Sequence, residues 1–355
     1  MARVSVVVPI YNVERYLGAC LDSIEHQTFR DLEVVMVDDG STDAGPALAE
    51  RYVARDDRFR LVRQPNGGLG KARNTGTDHA AGEFLAFVDS DDVLAPNAYE
   101  LLVGALDRTG SDFATGNIHR IVEGQTKQAY FISHVFTRTR LRTHVSRHRE
   151  LLLDRTAWNK LWRRSFWDAK GYRFPEGVYN EDIPVTIPAH VDARAVDVVA
   201  EPVYYWRSRD EKDSITQRRA EMKALVDRLA AVEAVVAHLQ AHATAELLRW
   251  YEASVLAHDL KYHLEVFDVA DDRYRAMFLD HVVALLEGAD PRVLDTLPAR
   301  EQELWRLARR RDVPALLAAL EASRDAPPSL KVRVLRRIPQ QHRMKLRGML
   351  QSVRR

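Results

Sequence analysis

The chain of 355 residues contains one cysteine, Cys20. An intrachain disulfide and a cysteine-built zinc site are thereby excluded. Cys20 falls on the apolar stripe of a helical pattern, which reads as a buried free thiol. The sequence also lacks any run of about 18 uninterrupted apolar residues, so it offers no membrane span. Met1-Ala2-Arg3 leads into an apolar run that stops at Tyr11-Asn12, too short for the core of a signal peptide. These absences predict a cytoplasmic protein. Charge of one sign is missing too: 52 Lys and Arg stand against 51 Asp and Glu, a net of +1. That balance gives no general polyanion-binding surface and argues against nucleic acid as a partner. It conceals an asymmetry, because residues 331–355 hold nine Lys or Arg and no acid, leaving −8 on residues 1–330.

What is present is an alternation. Residues 3–10 form a near-continuous β-branched run, the pattern of a strand buried on both faces. Asn12 is placed to cap a helix whose apolar positions, Val13, Tyr16, Leu17, Cys20, Leu21 and Ile24, share one face. A second buried strand spans Leu32–Val37, a third Phe59–Arg63 and a fourth Phe84–Val88, each followed by a helical pattern. With 46% hydrophobic residues the chain can bury one large core and a smaller one. Four alternations predict a doubly wound, mostly parallel α/β sheet.

The fourth strand ends in Asp89-Ser90-Asp91-Asp92. Three carboxylates at the open end of a strand repel one another unless they share a cation. Ligands of open α/β sheets bind at that end of the strands. The pattern therefore points to a divalent metal holding a diphosphate, against the alternative of an acidic surface turn before a helix. Three further polar or glycine-rich turns belong to the same sheet edge: Tyr11-Asn12, Asp38-Asp39-Gly40-Ser41 and Asn66-Gly67-Gly68. Helix capping is the structural alternative for Asp38–Ser41. Together the four turns make a cleft.

Val6-Val7-Val8-Pro9-Ile10-Tyr11-Asn12, Val37-Asp38-Asp39-Gly40-Ser41-Thr42, Asn66-Gly67-Gly68 with Ala72-Arg73-Asn74-Thr75-Gly76, and Phe87-Val88-Asp89-Ser90-Asp91-Asp92 resemble the family 2 glycosyltransferases of GT-A fold. The motifs occur in family order over residues 3–215. The resemblance implies a Rossmann-like GT-A domain that binds a nucleoside-diphosphate sugar, most often a UDP-sugar. It implies that Pro9, Tyr11 and Asn12 frame the base, that Asp39 binds it, that Asp89 with Ser90 faces the ribose, and that Asp91 holds Mn²⁺ or Mg²⁺. Asn66 and Gly67 belong to the same nucleotide site, and Arg73 on the following helix could reach base or phosphates. A surface helix charge is the alternative for Arg73. Asp92 is expected to cap the next helix or support its neighbours.

A second block, Ala157-Trp158-Asn159-Lys160-Leu161-Trp162-Arg163-Arg164 followed by Phe174-Pro175-Glu176-Gly177 and Asn180-Glu181-Asp182, continues the resemblance. It implies that the Trp-Asn-Lys-Leu segment packs beneath the acceptor site and that Asp182 is the catalytic base, with Glu181 as helper. An inverting transfer needs a carboxylate opposite the leaving group to deprotonate the acceptor hydroxyl. Capping of the helix from Ile183 is the alternative. Trp158 and Trp162 read as core rather than as a sugar platform. Ser111–Asn117 and Gln128–Val135 are expected as strands. His144 and His148 have the spacing of helical metal ligands without a third ligand, and read as solvated or acceptor-facing.

Val203–Arg207 is expected as the last strand, with a loop recruiting Arg207 and Ser214 to the diphosphate. The longer acidic stretch 209–213 departs from the family's His-x-x-Ser-Ile-Thr pattern and leaves the phosphate contact open. The Gln-x-x-Arg-Trp signature of processive synthases is absent, which implies non-processive transfer. The predicted domains are 1–216, catalytic; 217–326, a helical accessory module suited to acceptor contact or homo-oligomerisation; and 327–355, a linker and basic tail. That tail suits peripheral contact with the anionic inner face of a membrane, a solvated helix, or the start of a further domain. The function expected is metal-dependent, inverting, non-processive transfer from a UDP-sugar to a cell-envelope glycan, a polyol-phosphate polymer of teichoic-acid type or a lipid-linked acceptor. The alternatives are a nucleotidyltransferase and a non-catalytic nucleotide-sugar-binding module.

Overall fold

The computed structural model describes residues 2–122, 125–129, 132–208 and 219–325. Contacts divide the chain into two compact units, Met1–Leu297 and Pro298–Arg355. The first begins with alternating strands and helices: β1 (Val4–Ile10), α1 (Glu14–Glu25), β2 (Leu32–Asp38), α2 (Gly45–Arg55), β3 (Phe59–Arg63), α3 (Leu69–His79) and β4 (Phe84–Phe87). β5 (Val93–Leu94), α4 (Ala98–Thr109), β6 (Phe113–Val122), β7 (Gln125–Gln128) and β8 (Arg140–Thr143) follow. Then come β9 (Lys160–Arg163), α5 (Arg164–Lys170), α6 (Ile183–Asp192) and β10 (Val196–Arg207).

The main sheet runs β3-β2-β1-β4-β9-β6-β10-β5. β3, β2, β1, β4, β6 and β10 point one way, while β9 and the two-residue β5 oppose them. Every residue of β1 is buried, as a strand covered on both faces requires. The stripe predicted for α1 is the buried one, with Leu17, Cys20, Leu21 and Ile24 inward.

Two expectations need correction. Asn12 does not cap α1: the Glu14 N–H is taken by Asp43 Oδ2 at 2.8 Å, and Glu14 Oε2 accepts from the Ala44 N–H at 2.7 Å. The two helix starts thus satisfy each other's free N–H groups. Of the segment expected as a strand over Gln128–Val135, among the described residues only Gln128 is in a strand, the end of Gln125–Gln128, and residues 132–136 form turns. Residues 145–147 form a turn, so the helical spacing of His144 and His148 is not realised as one helix face, in keeping with the reading that set a metal site aside.

After β10 the first unit is helical: α7 (Met222–His242), α8 (Ala245–Ser254), a π-helical segment (Val255–Leu260), α9 (Lys261–Leu264) and α10 (Asp272–Gly288). The second unit contains α11 (Ala299–Arg309) and α12 (Val313–Asp325), which pack on each other. No helix among the described residues is long and apolar enough to cross a membrane.

Candidate active site

The parallel register of β1, β2 and β4 brings three of the polar turns to one edge, and the fourth follows β3 beside them. Pro9 is buried in β1, whereas Tyr11 beyond it is 49% exposed. Asn12 adopts a positive φ of 49° and its Oδ1 accepts from the N–H and hydroxyl of Thr42 at 2.8 and 3.2 Å. It therefore ties the first turn to the second.

Asp39 is 2% exposed. Its Oδ1 accepts from Gln64 Nε2 at 2.6 Å and the Gly67 N–H at 2.9 Å, and its Oδ2 from the Gly68 N–H at 2.8 Å. Asn66 Nδ2 returns a bond to the Asp39 carbonyl at 3.0 Å. Gly40, at a φ of +76°, makes this approach feasible, since a Cβ there would lie 2.9 Å from the Asn66 nitrogen. The two adjacent aspartates serve distinct turns, Asp38 accepting from the Ser41 N–H at 2.9 Å.

The acidic end of β4 does not form the shared three-carboxylate cage that repulsion alone suggested. Asp89 and Asp92 each have their own partners. Asp89, partly exposed, accepts from Arg73 Nη2 at 2.7 Å. Asp92, 1% exposed, accepts from the Tyr204 hydroxyl at 2.9 Å and the Arg207 N–H at 2.7 Å. Burial, reinforced by the charges of Asp91 and Asp89, pushes the Asp92 carboxyl well above its usual range. Asp92 thus supports its neighbours and does not cap α4, whose N-cap position is Asn97. Tyr204 also accepts from the Asp89 N–H at 3.1 Å. Arg207 points its Nε at the Asp91 carbonyl, 2.9 Å away. Ser90 is buried and Asp91 half-buried between them. No three of these acids bring ligand atoms within 4.8 Å of one another; among the described residues Asp22, Glu25 and His26 do. Asp22 and Glu25 already pair with Arg55. Carboxylate oxygens at the end of β4 are hard donors, the class that a divalent cation takes.

Arg73 is not at the surface, nor is its guanidinium turned to the cleft opening. It is 1% exposed, and its second arm, Nη1, reaches Glu181 Oε1 at 2.5 Å, with the Phe174 ring 5.2 Å from the guanidinium carbon. The fork joins the end of β4 to the Asn180-Glu181-Asp182 segment. The same face of α3 holds the rest of that loop. Asn74 exchanges two hydrogen bonds with the Phe174 backbone at 2.8 and 2.9 Å. A Cβ on Gly70 would overlap the Pro175 carbonyl. Positions 70, 73 and 74 are i, i+3 and i+4, so one helix face carries all three contacts.

Glu181 is 3% exposed, and its carboxyl is raised by burial and by Asp182, with Arg73 opposing. Asp182 is half-buried at the start of α6, and its backbone carbonyl accepts from the Thr186 N–H at 2.8 Å. Burial and the charge of Asp89 raise its carboxyl while Arg73 lowers it. The structure thus gathers Asp89, Arg73, Glu181 and Asp182 into one electrostatic group at the cleft.

Beneath them lies a buried polar core. Lys160 pairs with Asp154 at 2.8 Å, both fully buried, and Asn159 Nδ2 reaches Thr115 Oγ1 and the Gly116 carbonyl, each at 3.0 Å. Trp162 packs on Phe113, ring centroids 4.5 Å apart, and Trp158 stacks on Tyr204 at 4.1 Å. Both tryptophans are core, as expected. Tyr204, Gln64, Asn74 and Asp154 carry much of this architecture and were given no role from sequence. Asp154, an acid closing the apolar run Leu151-Leu152-Leu153, was a readable signal; the others had none without their distant partners. Ser214, the stretch 209–213 and the tail 331–355 lie outside the described residues.

The family model described as Glycosyl transferase family 2 matches residues 5–168. The putative glycosyltransferase EpsH of Bacillus subtilis (strain 168) is 37% identical over 243 residues, covering 67% of this chain and 69% of the relative. The uncharacterized glycosyltransferase EpsJ of the same organism is 30% identical over 220 residues, 60% of this chain and 63% of that one. Among solved structures, S. aureus TarS 1-349 in complex with UDP-GlcNAc superposes with a TM-score of 0.74 over 91% of each chain at 21% identity, which shows a common fold.

Proposed function

Since the chain belongs to glycosyl transferase family 2, we propose that this glycosyltransferase moves a sugar from a UDP-sugar to an acceptor hydroxyl with inversion at the anomeric carbon. Family membership sets aside the nucleotidyltransferase alternative. The observation that carries the reading is the buried fork of Arg73, which joins Asp89 to Glu181, the residue beside Asp182.

In this reading the Tyr11 and Asn12 turn and the Asp39-braced Asn66-Gly67 turn receive the nucleotide, and Asp89 with Ser90 faces the ribose. Arg207, whose Nε donates to the Asp91 carbonyl, is one candidate for the diphosphate contact; Ser214, outside the described residues, is the other. Asp182 accepts the proton of the acceptor hydroxyl as that oxygen bonds to C1, and the C1–O bond to UDP breaks with its electron pair leaving on the diphosphate. A base with an elevated pKa is better matched to a neutral hydroxyl than an ordinary aspartate. Glu181, held by Arg73, keeps the base in place. Mn²⁺ or Mg²⁺ at Asp91, when bound, would supply charge stabilisation for the departing diphosphate.

The absent Gln-x-x-Arg-Trp signature supports a non-processive mode. The acceptor class we propose is a cell-envelope glycan, polyol-phosphate polymer or lipid-linked sugar, used in the cytoplasm or at the inner membrane face. The division into residues 1–216 for the donor, 217–326 as an accessory module and a basic tail beyond is part of the same reading. TarS, which shares the fold and was crystallised with UDP-GlcNAc, makes that sugar the first donor to test. The experiment is UDP release from a panel of UDP-sugars with and without Mn²⁺, in the wild type and Asp182→Asn. Full turnover by Asp182→Asn, or no UDP released from any donor, would sink the proposal.

A further inference from the structure

The loop that carries the candidate base is gripped from two sides. α3 holds it at Phe174, Pro175 and Glu181, as described above. The opposite grip comes from α7, in the helical region that follows the sheet. Lys223 Nζ donates to the Gly177 carbonyl at 2.6 Å, the Tyr179 N–H donates to Asp227 Oδ2 at 2.8 Å, and Arg228 Nη2 donates to Asn180 Oδ1 at 2.6 Å. Positions 223 and 227 lie one helical turn apart, bonded to each other at 2.8 Å, and 228 is next in sequence. One turn of helix therefore reads out residues 177, 179 and 180 in order.

What it holds is a strained segment. Asn180 has a φ of +59° although it is not glycine, and it directly precedes Glu181 and Asp182. Such a conformation persists only where the surroundings over-determine it. Arg228 is itself fixed, because its Nη1 donates to Asp259 Oδ1 at 3.0 Å. The same oxygen accepts from Arg155 Nη1 at 2.6 Å. The Arg155 carbonyl in turn accepts from the Thr186 hydroxyl of α6 at 2.7 Å, on the first turn after Asp182. Asp259 is 3% exposed and sits in the π-helical segment, a local unwinding of the kind often found at functional sites. One buried carboxylate thus ties down the residues on both flanks of the base: Asn180 before it through Arg228, and α6 after it through Arg155.

We propose that α7 and the π-helical segment form a clamp that positions Asp182, with Arg228 and Asp259 as positioning residues for the transfer step. The proposal rests on the reading of Asp182 as the base. It gives the helical region a direct part in catalysis, and it accounts for two partly buried arginines converging on a buried acid where apolar side chains would have packed more simply.

The test uses the full chain and whichever UDP-sugar the wild type turns over, with kcat, KM and nucleotide affinity measured separately. Asn180→Gly leaves the positive φ accessible while deleting the Oδ1 that Arg228 holds. Arg228→Gln removes the other partner. Both should lower kcat tenfold or more, with KM and UDP affinity within twofold of wild type and thermal midpoints within a few degrees. In an Asp182→Asn background neither change should lower the residual rate further. Glu265→Gln, which removes an exposed partner of Arg219 in the same region, should leave kcat unchanged. Wild-type kcat in Asn180→Gly, a loss confined to UDP affinity, or equal losses with and without Asp182 would overturn the clamp. Wild-type activity in Asp182→Asn would overturn the base assignment instead, so the two failures are distinguishable. Should Arg228→Gln fail to fold, Asn180→Gly alone decides.

Discussion

Asp89 and Glu181 are held by the two arms of one buried guanidinium, Arg73, which lies 2.7 Å from the first and 2.5 Å from the second. This relationship couples the end of β4 to the loop carrying the candidate base. A planar fork with parallel donors can span two carboxylates at fixed separation, which a lysine ammonium on a flexible stem cannot reproduce.

The first prediction concerns that fork. Arg73→Ala leaves Glu181 buried without its cation, and removing one partner of a buried pair destabilises by about 3–5 kcal/mol. Urea unfolding should report a loss of that size. Arg73→Lys should retain more stability yet lose most of kcat, because one carboxylate is released. A variant that keeps both wild-type stability and turnover would show that the bridge is ornamental.

The second concerns pH. Glu181 and Asp182 are both raised by burial, so the free base appears at a higher pH than for an exposed aspartate. The reaction needs the deprotonated form, so kcat should rise with pH through an apparent pKa above the ordinary carboxylate range of about 4. That apparent value belongs to the pair rather than to one residue. Stability runs the other way. A carboxyl whose pKa is higher in the folded than the unfolded state binds more protons when folded, so its contribution is present below the unfolded pKa and is lost as pH rises through the folded one. Glu181→Gln should flatten that decline in unfolding measurements made from pH 4 upward. A kcat profile with no inflection above the ordinary range would contradict the assignment.

Much of this cleft was legible in the sequence because its information is local. The β-branched runs of β1 and β2 and the apolar run of β4 dictate buried strands, and each turn follows its strand directly. The roles of Arg73 and Asn12 were not legible in the same way. Arg73 meets Glu181 across 108 residues, and Asn12 meets Thr42 across 30. Helical capping is the local option for an asparagine, and the neighbouring turn outcompetes it here. Likewise β9 enters the sheet antiparallel between β4 and β6 because Asn159 and Lys160 find their polar partners at Thr115, Gly116 and Asp154. Nothing within the Trp-Asn-Lys-Leu segment itself announces a strand.

The third prediction concerns the metal. A ligand that binds only the folded chain stabilises it by RT ln(1 + [L]/Kd), about 2.7 kcal/mol at a hundredfold excess over Kd. UDP should therefore raise the thermal midpoint in the presence of Mn²⁺, and EDTA should remove most of the gain. Asp91→Ala should abolish the Mn²⁺-dependent part and lower UDP release by a factor of about 100 or more, in line with losing an electrostatic stabiliser of the leaving group. A UDP shift equal in EDTA and in Mn²⁺ would argue that this chain binds its donor without a metal.

The fourth concerns the buried pair beneath the cleft. Lys160 and Asp154 are both fully buried, 2.8 Å apart, and the ammonium also donates to the carbonyls of Thr156 at 2.6 Å and Asp154 at 3.2 Å. Burial lowers the lysine pKa while Asp154 opposes that shift, so the charge survives only because its partner is there. Lys160→Met should destabilise by about 3–5 kcal/mol, since it strands a carboxylate in the core. Asp154→Asn should cost less, because the amide oxygen can still accept while the ammonium keeps its backbone carbonyls. The double variant should then fall short of the sum of the two, a coupling that unfolding measurements on all four proteins would resolve. Additive losses would mean that the two groups are stabilised separately by their backbone partners. In that case the Trp-Asn-Lys-Leu segment would be held in the sheet by its tryptophans and strand pairing rather than by this charge pair.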